Sequence, residues 1–378
     1  MGFLYVPKGG DLKEEKYMSL ALQLAKQGSG WVNPNPLVGA VIVKNGRVIG
    51  KGYHRRYGDP HAEREALANC LASPVGATLY VTLTPCCHQG KTPPCTEAII
   101  QSGISRVVIG SADPNPLVGE KSLGILANHG IEVVTGVLKS ACDAINQVFF
   151  HYIQSLTPYV VMKYAMTMDG KIATITGASK WITGEVARTK VHEDRQLYAA
   201  IMVGIGTILA DDPSLTCRLA GAHQPVRIIC DSTLKTPRTA RVVQTAKEVP
   251  TIIATCESDR LRIAPYLKSG CQVVTLPKTE QGVDLNVLMT YLGEQQIDSV
   301  LLEGGQALNG AALEAQIVHR VQTYIAPIIF GGITAKSPIG GRGVMLPSEA
   351  YHLSKPTVTR LGDDILLESE VHYVHGTH

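Results

Sequence analysis

Hydrophobic positions along residues 1–156 predict a helix, a hairpin and then alternating strands and helices. Residues 13–27 have the apolar spacing of an amphipathic helix. Residues 38–43 and 47–53 predict two strands joined by Asn45-Gly46, a dipeptide typical of two-residue hairpin turns. Helices are predicted at 63–71 and 95–101, strands at 78–83, 106–109 and 131–134, a helix between the last two strands, and a closing helix at 140–156. This order predicts one sheet covered by helices.

The second half alternates apolar strands with amphipathic helices. Strands are predicted at 159–165, 200–203, 226–230, 251–254, 272–276 and 299–302, and helices at 184–198, 259–267, 285–292 and 307–315. Because these strands are mostly apolar, we predict a largely parallel α/β sheet. A chain of 378 residues is long enough for two cores. Thr157-Pro158 is the predicted boundary between domains at 1–156 and 157–378.

The pattern His61-Ala62-Glu63, followed by Pro85-Cys86 and Cys95, is typical of a catalytic zinc site. One imidazole and two thiolates give Zn²⁺ three protein ligands, which leaves the fourth position for water. Glu63 is not needed as a ligand, and zinc deaminases use such a carboxylate to move a proton from water to the leaving ammonia. His61 and Cys95 begin predicted helices, where the helix dipole favours thiolate and carboxylate.

Two alternatives stay open for this pattern. A structural zinc site uses the same residue types, although it has no need of Glu63. Cys87 adjoins Cys86 and is also a thiol, so the choice of Cys86 rests on the Pro-Cys order of zinc deaminases. The eight residues between Cys86 and Cys95 also exceed the two residues of the general deaminase signature.

Charge and cysteine content narrow the function classes. The formal net charge is +3 and there is no run of Lys or Arg, so nucleic-acid binding is not predicted. The nine cysteines lack the spacing of a disulfide framework, which indicates a reducing compartment. Residues 1–20 have no apolar signal segment, and the longest apolar stretches are strand-sized. We therefore expect a cytoplasmic protein without a membrane span.

Three turns that contain glycine follow predicted strands in the second half. They are Met168-Asp169-Gly170, Val203-Gly204-Ile205-Gly206-Thr207 and Glu303-Gly304-Gly305. Ligands of open α/β sheets bind beyond the carboxyl ends of strands, so these turns are candidates for one ligand site, although tight turns without a ligand have the same composition. No G-x-G-x-x-G opens a helix in this half, so a Rossmann fingerprint is not predicted.

Other polar residues have both a functional and a plain structural interpretation. Residues 211–218 are a dense polar cluster, which predicts a solvated loop with a local ion pair or part of a site. Arg195 and Arg218 are candidates to hold a phosphate bidentately. Trp181 is either a core residue or a platform for a planar ring. Asn35 is placed to contact a pyrimidine edge or to form a turn, and His54 faces a phosphate or solvent.

Together these motifs resemble the bifunctional riboflavin-biosynthesis deaminase/reductases over residues 16–367. The matching motifs are Asn33-Pro-Asn-Pro-Leu-Val-Gly39, His61-Ala-Glu63, Pro85-Cys-Cys-His-Gln-Gly-Lys-Thr-Pro-Pro-Cys95, Met168-Asp-Gly170, Ser179-Lys-Trp-Ile-Thr183, Gly206-Thr-Ile-Leu-Ala-Asp-Asp-Pro213, Leu301-Leu-Glu-Gly-Gly305 and Ala326-Pro327. The long gap before Thr-Pro-Pro-Cys is specific to this family among zinc deaminases. The resemblance implies an α/β chain with a cytidine-deaminase-like zinc domain at 1–156 and a dihydrofolate-reductase-like domain at 157–378.

The resemblance also implies two reactions, their cofactors and their site residues. The first is zinc-dependent hydrolytic deamination of a diaminopyrimidinone that carries a phosphoribosylamino arm, and the second is NADPH-dependent reduction of its ribosyl group to ribityl. It implies zinc ligands at His61, Cys86 and Cys95 with Glu63 as the proton shuttle. Positions that match pyrimidine or phosphate contacts are Asn35, His54, His88 and Lys91. In the second domain, positions that match substrate contacts are Ser179, Arg195, Leu215, Arg218 and Glu303, and those that match NADP contacts are Ala165, Trp181, Thr207, Asp211, Ser232, Gly305, Gln306, Ala307, Leu308 and Asn309.

The sequence departs from the family pattern at two places, and rival hypotheses remain. Thr84 stands where a Glu is common before Pro-Cys, and Ala199-Ala200 stands where Asp-Ala is common. One rival is a single-function nucleoside or tRNA deaminase whose second half supports assembly only, which NADPH binding would exclude. Another is a non-catalytic zinc-stabilised binding protein, which has no use for Glu63. The expected partners are a small phosphorylated pyrimidine and further copies of the chain in a homo-oligomer, with a dimer favoured.

Overall fold

The computed structural model describes residues 12–89, 93–115 and 118–373. The chain forms two compact units that divide between Leu156 and Thr157. No helix in the described ranges is both long enough and apolar enough to cross a membrane.

The first unit is a five-stranded sheet with helices on both faces. Its helices are α1 (Leu12–Ala25), α2 (Ala62–Ala68), α3 (Cys95–Gln101), α4 (Gly119–Asn128), α5 (Lys139–Ala144) and α6 (Gln147–Ser155), with a 3₁₀ turn at Lys26–Gly28. Its strands are β1 (Gly39–Lys44), β2 (Arg47–Tyr53), β3 (Thr78–Leu83), β4 (Arg106–Ser111) and β5 (Glu132–Thr135). The strand order is β2-β1-β3-β4-β5. The β1 strand is antiparallel to β2 and β3, whereas β3, β4 and β5 are parallel.

Alternate residues of each central strand pack on opposite faces of this sheet. Ile42 and Val81 face α2, α3 and α4, whereas Val41 and Tyr80 face α1 and α5. This alternation follows from the two-residue side-chain period of a strand, and it buries both faces. Helix α2 lies against β2 so closely that a Cβ at Gly52 would stand 2.4 Å from the Ala66 nitrogen. Glycine at this position therefore sets the place of α2 and of the side chains at its start.

The prediction of one closing helix at 140–156 is wrong in one respect, because these residues form two helices, α5 and α6. Asn146 separates α5 from α6 and adopts a non-helical conformation, with φ −119° and ψ 17°. Its side chain bonds both backbone groups of Leu37, at 2.8 Å to the nitrogen and 3.0 Å to the oxygen. These two hydrogen bonds interrupt the helix at Asn146 and fix the segment before β1 to it. The helix predicted at 63–71 ends earlier, at Ala68.

The second unit is a ten-stranded, mostly parallel sheet with helices on both faces and a small two-stranded ribbon. Its helices are α7 (Glu185–Leu197), α8 (Ile205–Asp211), α9 (Arg241–Gln244), α10 (Arg260–Lys268), α11 (Leu285–Glu294) and α12 (Gln306–Glu314), with a 3₁₀ turn at Pro347–Glu349. Its strands are β6 (Tyr159–Thr167), β7 (Ala200–Gly204), β8 (Val226–Cys230), β9 (Thr251–Thr255), β10 (Gln272–Thr275), β11 (Lys278–Thr279), β12 (Gly282–Val283), β13 (Ser299–Leu302), β14 (Arg320–Ala326), β15 (His352–Leu353), β16 (Thr357–Leu361) and β17 (Asp364–His372).

The strand order of the large sheet is β10-β9-β8-β7-β13-β6-β14-β17-β15, with β16 paired to β17. In this order, every adjacent pair between β10 at one edge and β14 is parallel, and β17 is antiparallel to β14. Met202 and Leu302 pack towards α11 and α12, whereas Ile201 and Ile229 pack towards α8, α9 and α10. The predicted parallel sheet is therefore present, with an antiparallel extension that the hydrophobic pattern did not indicate.

Some elements of the second unit lie outside the sequence prediction. The β14 strand carries the buried polar residues Gln322 and Thr323, and β17 carries Glu368, so neither strand forms an apolar run. The predicted turn at Val203–Thr207 is instead the end of β7 and the first turn of α8. Asp211, assigned to a polar loop, is the last residue of that helix.

Candidate active sites

One edge of the first sheet collects the residues that the sequence singled out. The carboxyl ends of β2, β3 and β4 lie there together with the start of β1, since β1 is antiparallel to its neighbours. Gly39 pairs with Tyr53 across the hairpin, and the Gly39 nitrogen donates to the Thr82 hydroxyl at 3.1 Å. The segments that carry Asn35, His54 and Cys86 therefore meet at this edge.

His61, Cys86 and Cys95 converge on one point with the spacing of a metal site. Their ligand atoms all lie within 4.8 Å of one another. The His61 Nδ1 atom is 3.4 Å from the Cys86 sulfur and 3.5 Å from the Cys95 sulfur. Contacts with Cys95 and His61 lower the pKa of Cys86 to about 4, so a thiolate is present at neutral pH. One imidazole and two sulfurs are a donor set that suits Zn²⁺, and Cys87 is not part of the cluster.

Helix starts hold two of these three side chains. His61 is the N-cap of α2, with an extended conformation at φ −69° and ψ 160°. Cys95 is the first residue of α3 and is fully buried. The positive end of each helix dipole thus lies beside the two sulfurs and favours negative charge there. The hydrogen bond with Cys86 and burial nevertheless raise the pKa of Cys95, so Cys86 is the thiolate of the pair.

Glu63 lies in the first turn of α2 and its side chain faces the metal cluster. It is buried, and its carboxyl group is hydrogen-bonded to Cys95. Burial raises the pKa of Glu63, while the nearby His61 opposes that change. A buried carboxyl group with a raised pKa beside three metal donors can accept and return a proton.

His54 and Asn35 form a hydrogen-bonded pair beside the cluster. The Asn35 Nδ2 atom is 3.1 Å from His54 Nε2, and His54 Nδ1 is 3.2 Å from the Pro60 oxygen. Burial lowers the pKa of His54, which keeps the ring neutral, with Nδ1 as donor and Nε2 as acceptor. Its ring also lies edge-on to His61, with 5.3 Å between centroids. This arrangement fixes the orientation of the Asn35 amide.

The remaining residues predicted for this site differ in position. His88 is exposed, and Lys91 lies outside the described residues. Thr84 is buried, and its hydroxyl lies 3.3 Å from both the Ser111 oxygen and the Asp113 nitrogen, so it links the ends of β3 and β4. Asp113 was missed by the sequence analysis. Its burial raises its pKa to about 6, and it lies close to His88 and Cys86.

The second unit presents its own charged cluster where the carboxyl end of β13 lies beside the middle of β6. Glu303 directly follows β13, and Arg195 on α7 bonds it with both guanidinium arms, at 2.7 and 2.9 Å. Burial alone would raise the pKa of Glu303, but Arg195 and Lys163 hold it at about 2. Lys163 is a half-buried lysine in the middle of β6, and desolvation lowers its pKa. It lies in an otherwise apolar strand, which gives no sign of it in the sequence.

Arg195 and Arg218 do not share the role that the sequence suggested. The guanidinium of Arg195 is taken up by Glu303 and by the Thr216 oxygen, at 3.0 Å, so it does not stand ready as a phosphate partner. Arg218 is exposed at the end of the same loop. Leu215 is buried, and Asp212 pairs with Arg241, so the cluster at 211–218 is not simply a solvated loop.

The two glycine-bearing segments after β7 and β13 lie next to each other. A Cβ at Gly204 would contact the Leu308 side chain at 3.6 Å, and one at Gly305 would contact the Thr207 hydroxyl at 3.9 Å. Gly305 is the N-cap of α12. The first turn of that helix consists of Gln306, Ala307, Leu308 and Asn309, and its dipole favours an anionic group there.

The third glycine-bearing turn has a structural task. The Asp169 carboxylate accepts hydrogen bonds from the Thr167 hydroxyl and from the Phe330 and Gly331 nitrogens, at 2.5, 3.2 and 2.8 Å. The Thr167 hydroxyl and these backbone groups lower the pKa of Asp169 to about 2. The Met168-Asp169-Gly170 turn therefore holds the segment after β14, and its carboxylate is not directed at a ligand.

Four further predicted contacts are spread over the same unit. Trp181 is 65% exposed, with the Arg188 guanidinium 4.9 Å from its ring centroid, so it is not a core residue. Lys180 bridges to Asp211 at 3.7 Å and joins the tryptophan segment to the end of α8. The others are half-buried, namely Ala165 on β6, Ser179 before the tryptophan segment, and Ser232 after β8.

Comparisons with protein families match both units. A model described as the cytidine and deoxycytidylate deaminase zinc-binding region matches residues 12–111. A second model, the RibD C-terminal domain, matches residues 158–367.

Similar proteins match nearly the whole chain. A riboflavin biosynthesis protein RibD of Actinobacillus pleuropneumoniae is 54% identical over 93% of this chain and 94% of its own length. One of Bacillus amyloliquefaciens is 44% identical over 94% and 95%. The crystal structure of a diaminohydroxyphosphoribosylaminopyrimidine deaminase/5-amino-6-(5-phosphoribosylamino)uracil reductase of Thermotoga maritima superposes with a TM-score of 0.84 at 38% identity, covering 95% of this chain and 99% of that one. Acinetobacter baumannii RibD gives 0.85 at 33% identity, covering 95% and 99%.

The positions of His61, Cys86 and Cys95 predict that substitutions of the adjacent residues Cys86 and Cys87 have different effects on zinc content. Cys86→Ser and Cys95→Ser each remove one of three converging donors, so the purified proteins should contain little zinc. Cys87→Ser leaves all three donors in place and should keep about one zinc per chain, which makes it the matched control. Metal analysis by mass spectrometry decides this, and a zinc-free Cys87 variant would show that the cluster is assigned to the wrong thiol.

Proposed function

The chain belongs to the RibD family of riboflavin-biosynthesis proteins, and we propose that each of its two reactions takes place at the strand edge of one unit. The enzyme deaminates 2,5-diamino-6-(5-phosphoribosylamino)pyrimidin-4(3H)-one and then reduces the ribosyl group of 5-amino-6-(5-phosphoribosylamino)uracil to ribityl. Zn²⁺ and NADPH are its cofactors. The observation that carries the assignment of the first site is the convergence of His61, Cys86 and Cys95 beside buried Glu63.

Deamination in this proposal depends on proton movement by Glu63. Bound Zn²⁺ lowers the pKa of the attacking water so that it is a nucleophile at neutral pH. Glu63 takes the proton of that water and delivers it to the departing amino group, since its carboxyl group is buried next to the donors. A raised pKa suits both halves of this transfer, because the group must accept the proton first and then release it.

The first site orients the pyrimidine through Asn35. Because Asn35 donates through Nδ2 to neutral His54, its Oδ1 atom is the group left to accept from a ring N–H or an amino group. His88 lies in the exposed segment after Cys86 and is placed to contact the phosphoribosyl arm. Lys91 remains part of this proposal on the family resemblance alone.

Reduction is placed at the carboxyl ends of β6, β7 and β13. NADPH supplies the hydride, and we place its phosphate groups at the α12 N-terminus formed by residues 305–309, beside Thr207. Trp181 offers an exposed ring face, and Asp211 is joined to the tryptophan segment through Lys180. Ala165 lies near the end of β6, and Ser232 follows the end of β8 in the same sheet. Hydride addition also requires a proton for the opening ribosyl ring, and half-buried Lys163 next to Glu303 is the acid we assign to that step.

The substrate of the second site is held by residues of the loop before β8. The Leu215 side chain is buried in the core, so in this proposal Leu215 contacts the substrate through its backbone, and exposed Arg218 supplies a guanidinium for the phosphate. Arg195 and Glu303 act as a fixed pair, whose carboxylate faces the ribosyl hydroxyls, and Ser179 contributes a hydroxyl from the opposite segment.

We also propose a cytoplasmic homo-oligomer, most simply a dimer. No disulfide bond links any of the nine cysteines, all of which lie within the described ranges, and this fits a reducing compartment. Large apolar side chains are concentrated on the exposed surface of residues 328–358. They are Ile328, Ile329, Ile333, Ile339, Val344, Met345, Leu346, Tyr351, Leu353 and Val358. Exposed apolar patches of this kind mark contact surfaces, and a second copy of the chain would cover this one.

Glu63→Gln should abolish deamination while zinc stays at about one per chain. The amide cannot carry the proton, and general acid–base groups typically supply about 10²- to 10⁴-fold in rate. Reduction of the uracil substrate should continue unchanged in the same protein. Glu97→Gln, which neutralises an exposed glutamate on α3, is the control and should keep full deaminase activity. Deaminase turnover like that of the unmodified enzyme in the Glu63 variant would contradict the assignment.

Arg218→Ala should raise the KM for the uracil substrate, with little change in kcat or in NADPH affinity. A phosphate contact made equally in the ground and transition states is uniform binding, so its loss appears in KM. The dephosphorylated substrate should show no such difference. Lys268→Ala, which removes an exposed cation at the end of α10, is the matched control. Weaker NADPH binding with an unchanged substrate KM would mean that the positions of the two ligands are exchanged.

A further inference from the structure

The loop at residues 214–218 is irregular in conformation but fixed in position. It lies between α8 and β8 and belongs to neither a helix nor a strand. Leu215 and Cys217 are nevertheless buried, so the backbone groups around them need hydrogen-bond partners other than a ladder. Leu215 also has a φ of +52°, which a leucine keeps only where its surroundings enforce it.

Side chains from three elements supply those partners. Arg227 donates to the Ser214 oxygen at 3.2 Å, and Arg195 donates to the Thr216 oxygen at 3.0 Å. The amide of Gln224 pairs with both the nitrogen and the oxygen of Cys217, at 2.9 and 3.0 Å. The Arg218 nitrogen donates to His192 Nδ1 at 3.3 Å. Side chains from outside the loop therefore hold its backbone in place from Ser214 to Arg218.

Arg227, which binds the Ser214 end of the loop, is itself held in place by other hydrogen bonds. Arg227 is fully buried and makes five further hydrogen bonds besides the one to Ser214. Its partners are the Thr251 hydroxyl, the Thr245 hydroxyl and oxygen, and the oxygens of Val242 and Val249. The loop is thus tied at Ser214 to the buried core, and the end that carries Arg218 is the outer one.

His192 holds that outer end. It lies on α7, three residues before Arg195, so the two side chains project from the same face of the helix. Besides the bond from Arg218, the His192 backbone oxygen accepts from the Cys217 sulfur at 3.1 Å. Burial, together with Arg195 and Arg218, lowers the pKa of His192 against the opposing effect of Glu303, so its ring is neutral and Nδ1 can accept.

We propose that His192 is a positioning residue of the second site, which holds the backbone of Cys217 and Arg218 against α7 so that the Arg218 side chain is presented to the substrate phosphate. This inference rests on the proposed phosphate contact of Arg218. It assigns a role to a residue that neither the motifs nor the family resemblance singled out. Because the loop is prearranged, the substrate does not have to order it on binding.

The test compares two substitutions at His192 in the full-length enzyme. His192→Leu removes the acceptor, and the KM for the uracil substrate should rise roughly three- to tenfold, as expected for one lost hydrogen bond, with kcat within about twofold. His192→Asn places an oxygen close to the position of Nδ1 and should restore most of the original KM. The NADPH dissociation constant and the thermal unfolding midpoint verify that each variant keeps its fold. If the Leu variant does not fold, Gln224→Leu tests the same loop from its other side and should give the same rise.

A double-mutant cycle then separates positioning from direct contact. In the Arg218→Ala background, His192→Leu should have no further effect on KM, because its effect passes through Arg218. A rise of KM in that background, or an Asn variant no better than the Leu variant, would overturn the positioning role and indicate direct substrate contact. An unchanged KM in the single His192→Leu variant would overturn it as well. If Arg218→Ala alone leaves KM unchanged, the phosphate contact itself is wrong, and the inference fails with its premise.

Discussion

The carboxyl ends of parallel strands meet at one edge of a sheet, and both sites of this enzyme depend on that constraint. In the first unit the antiparallel hairpin extends it, because β1 brings the start of one strand and β2 the end of another to the edge where β3 and β4 end. His61, Cys86 and Asn35 come from three separate segments and converge for this reason. In the second unit β13 ends beside the middle of β6, which places Glu303 next to Lys163, and the α12 N-terminus follows β13 next to the end of β7.

The two sites differ in how their surroundings change the pKa of a buried carboxyl group. In the first, burial raises the pKa of Glu63, which suits a group that exchanges a proton. In the second, Arg195 keeps Glu303 ionised despite its burial, which suits a fixed acceptor in a binding site. The same Arg195 also bonds Thr216, so the ion pair and the substrate loop are one connected unit. A substitution at Arg195 would therefore disturb charge and loop together, whereas His192 offers a way to change the loop alone.

Local patterns in the sequence were sufficient for the fold class and for the convergence of His61, Cys86 and Cys95. The predicted α/β chain, with a cytidine-deaminase-like domain followed by a reductase domain, is confirmed. The strands at 47–53, 78–83 and 226–230 have the predicted bounds. Two of the three metal donors, His61 and Cys95, lie at helix starts, and the spacing of all three along the chain was enough to predict them.

The features that were missed depend on partners far away in the sequence. Nothing near Arg195 indicates that Glu303 occupies its guanidinium, and nothing near Asp169 indicates that it holds residues 330 and 331. The helix break at Asn146 arises from its pairing with Leu37, and Lys163 is hidden in an apolar strand. Hydrophobic periodicity contains no information on such pairs, which only the folded chain brings together.

The central claim is that one chain performs the two reactions in order at two separate sites. Incubating the enzyme with 2,5-diamino-6-(5-phosphoribosylamino)pyrimidin-4(3H)-one, with and without NADPH, and identifying the products by mass spectrometry tests it most directly. Without NADPH, ammonia and 5-amino-6-(5-phosphoribosylamino)uracil should accumulate in equal amounts. With NADPH, the ribityl product should replace the uracil compound, and one NADPH should be oxidised for each. Deamination without any NADPH oxidation, even when the uracil compound is supplied directly, would contradict the account.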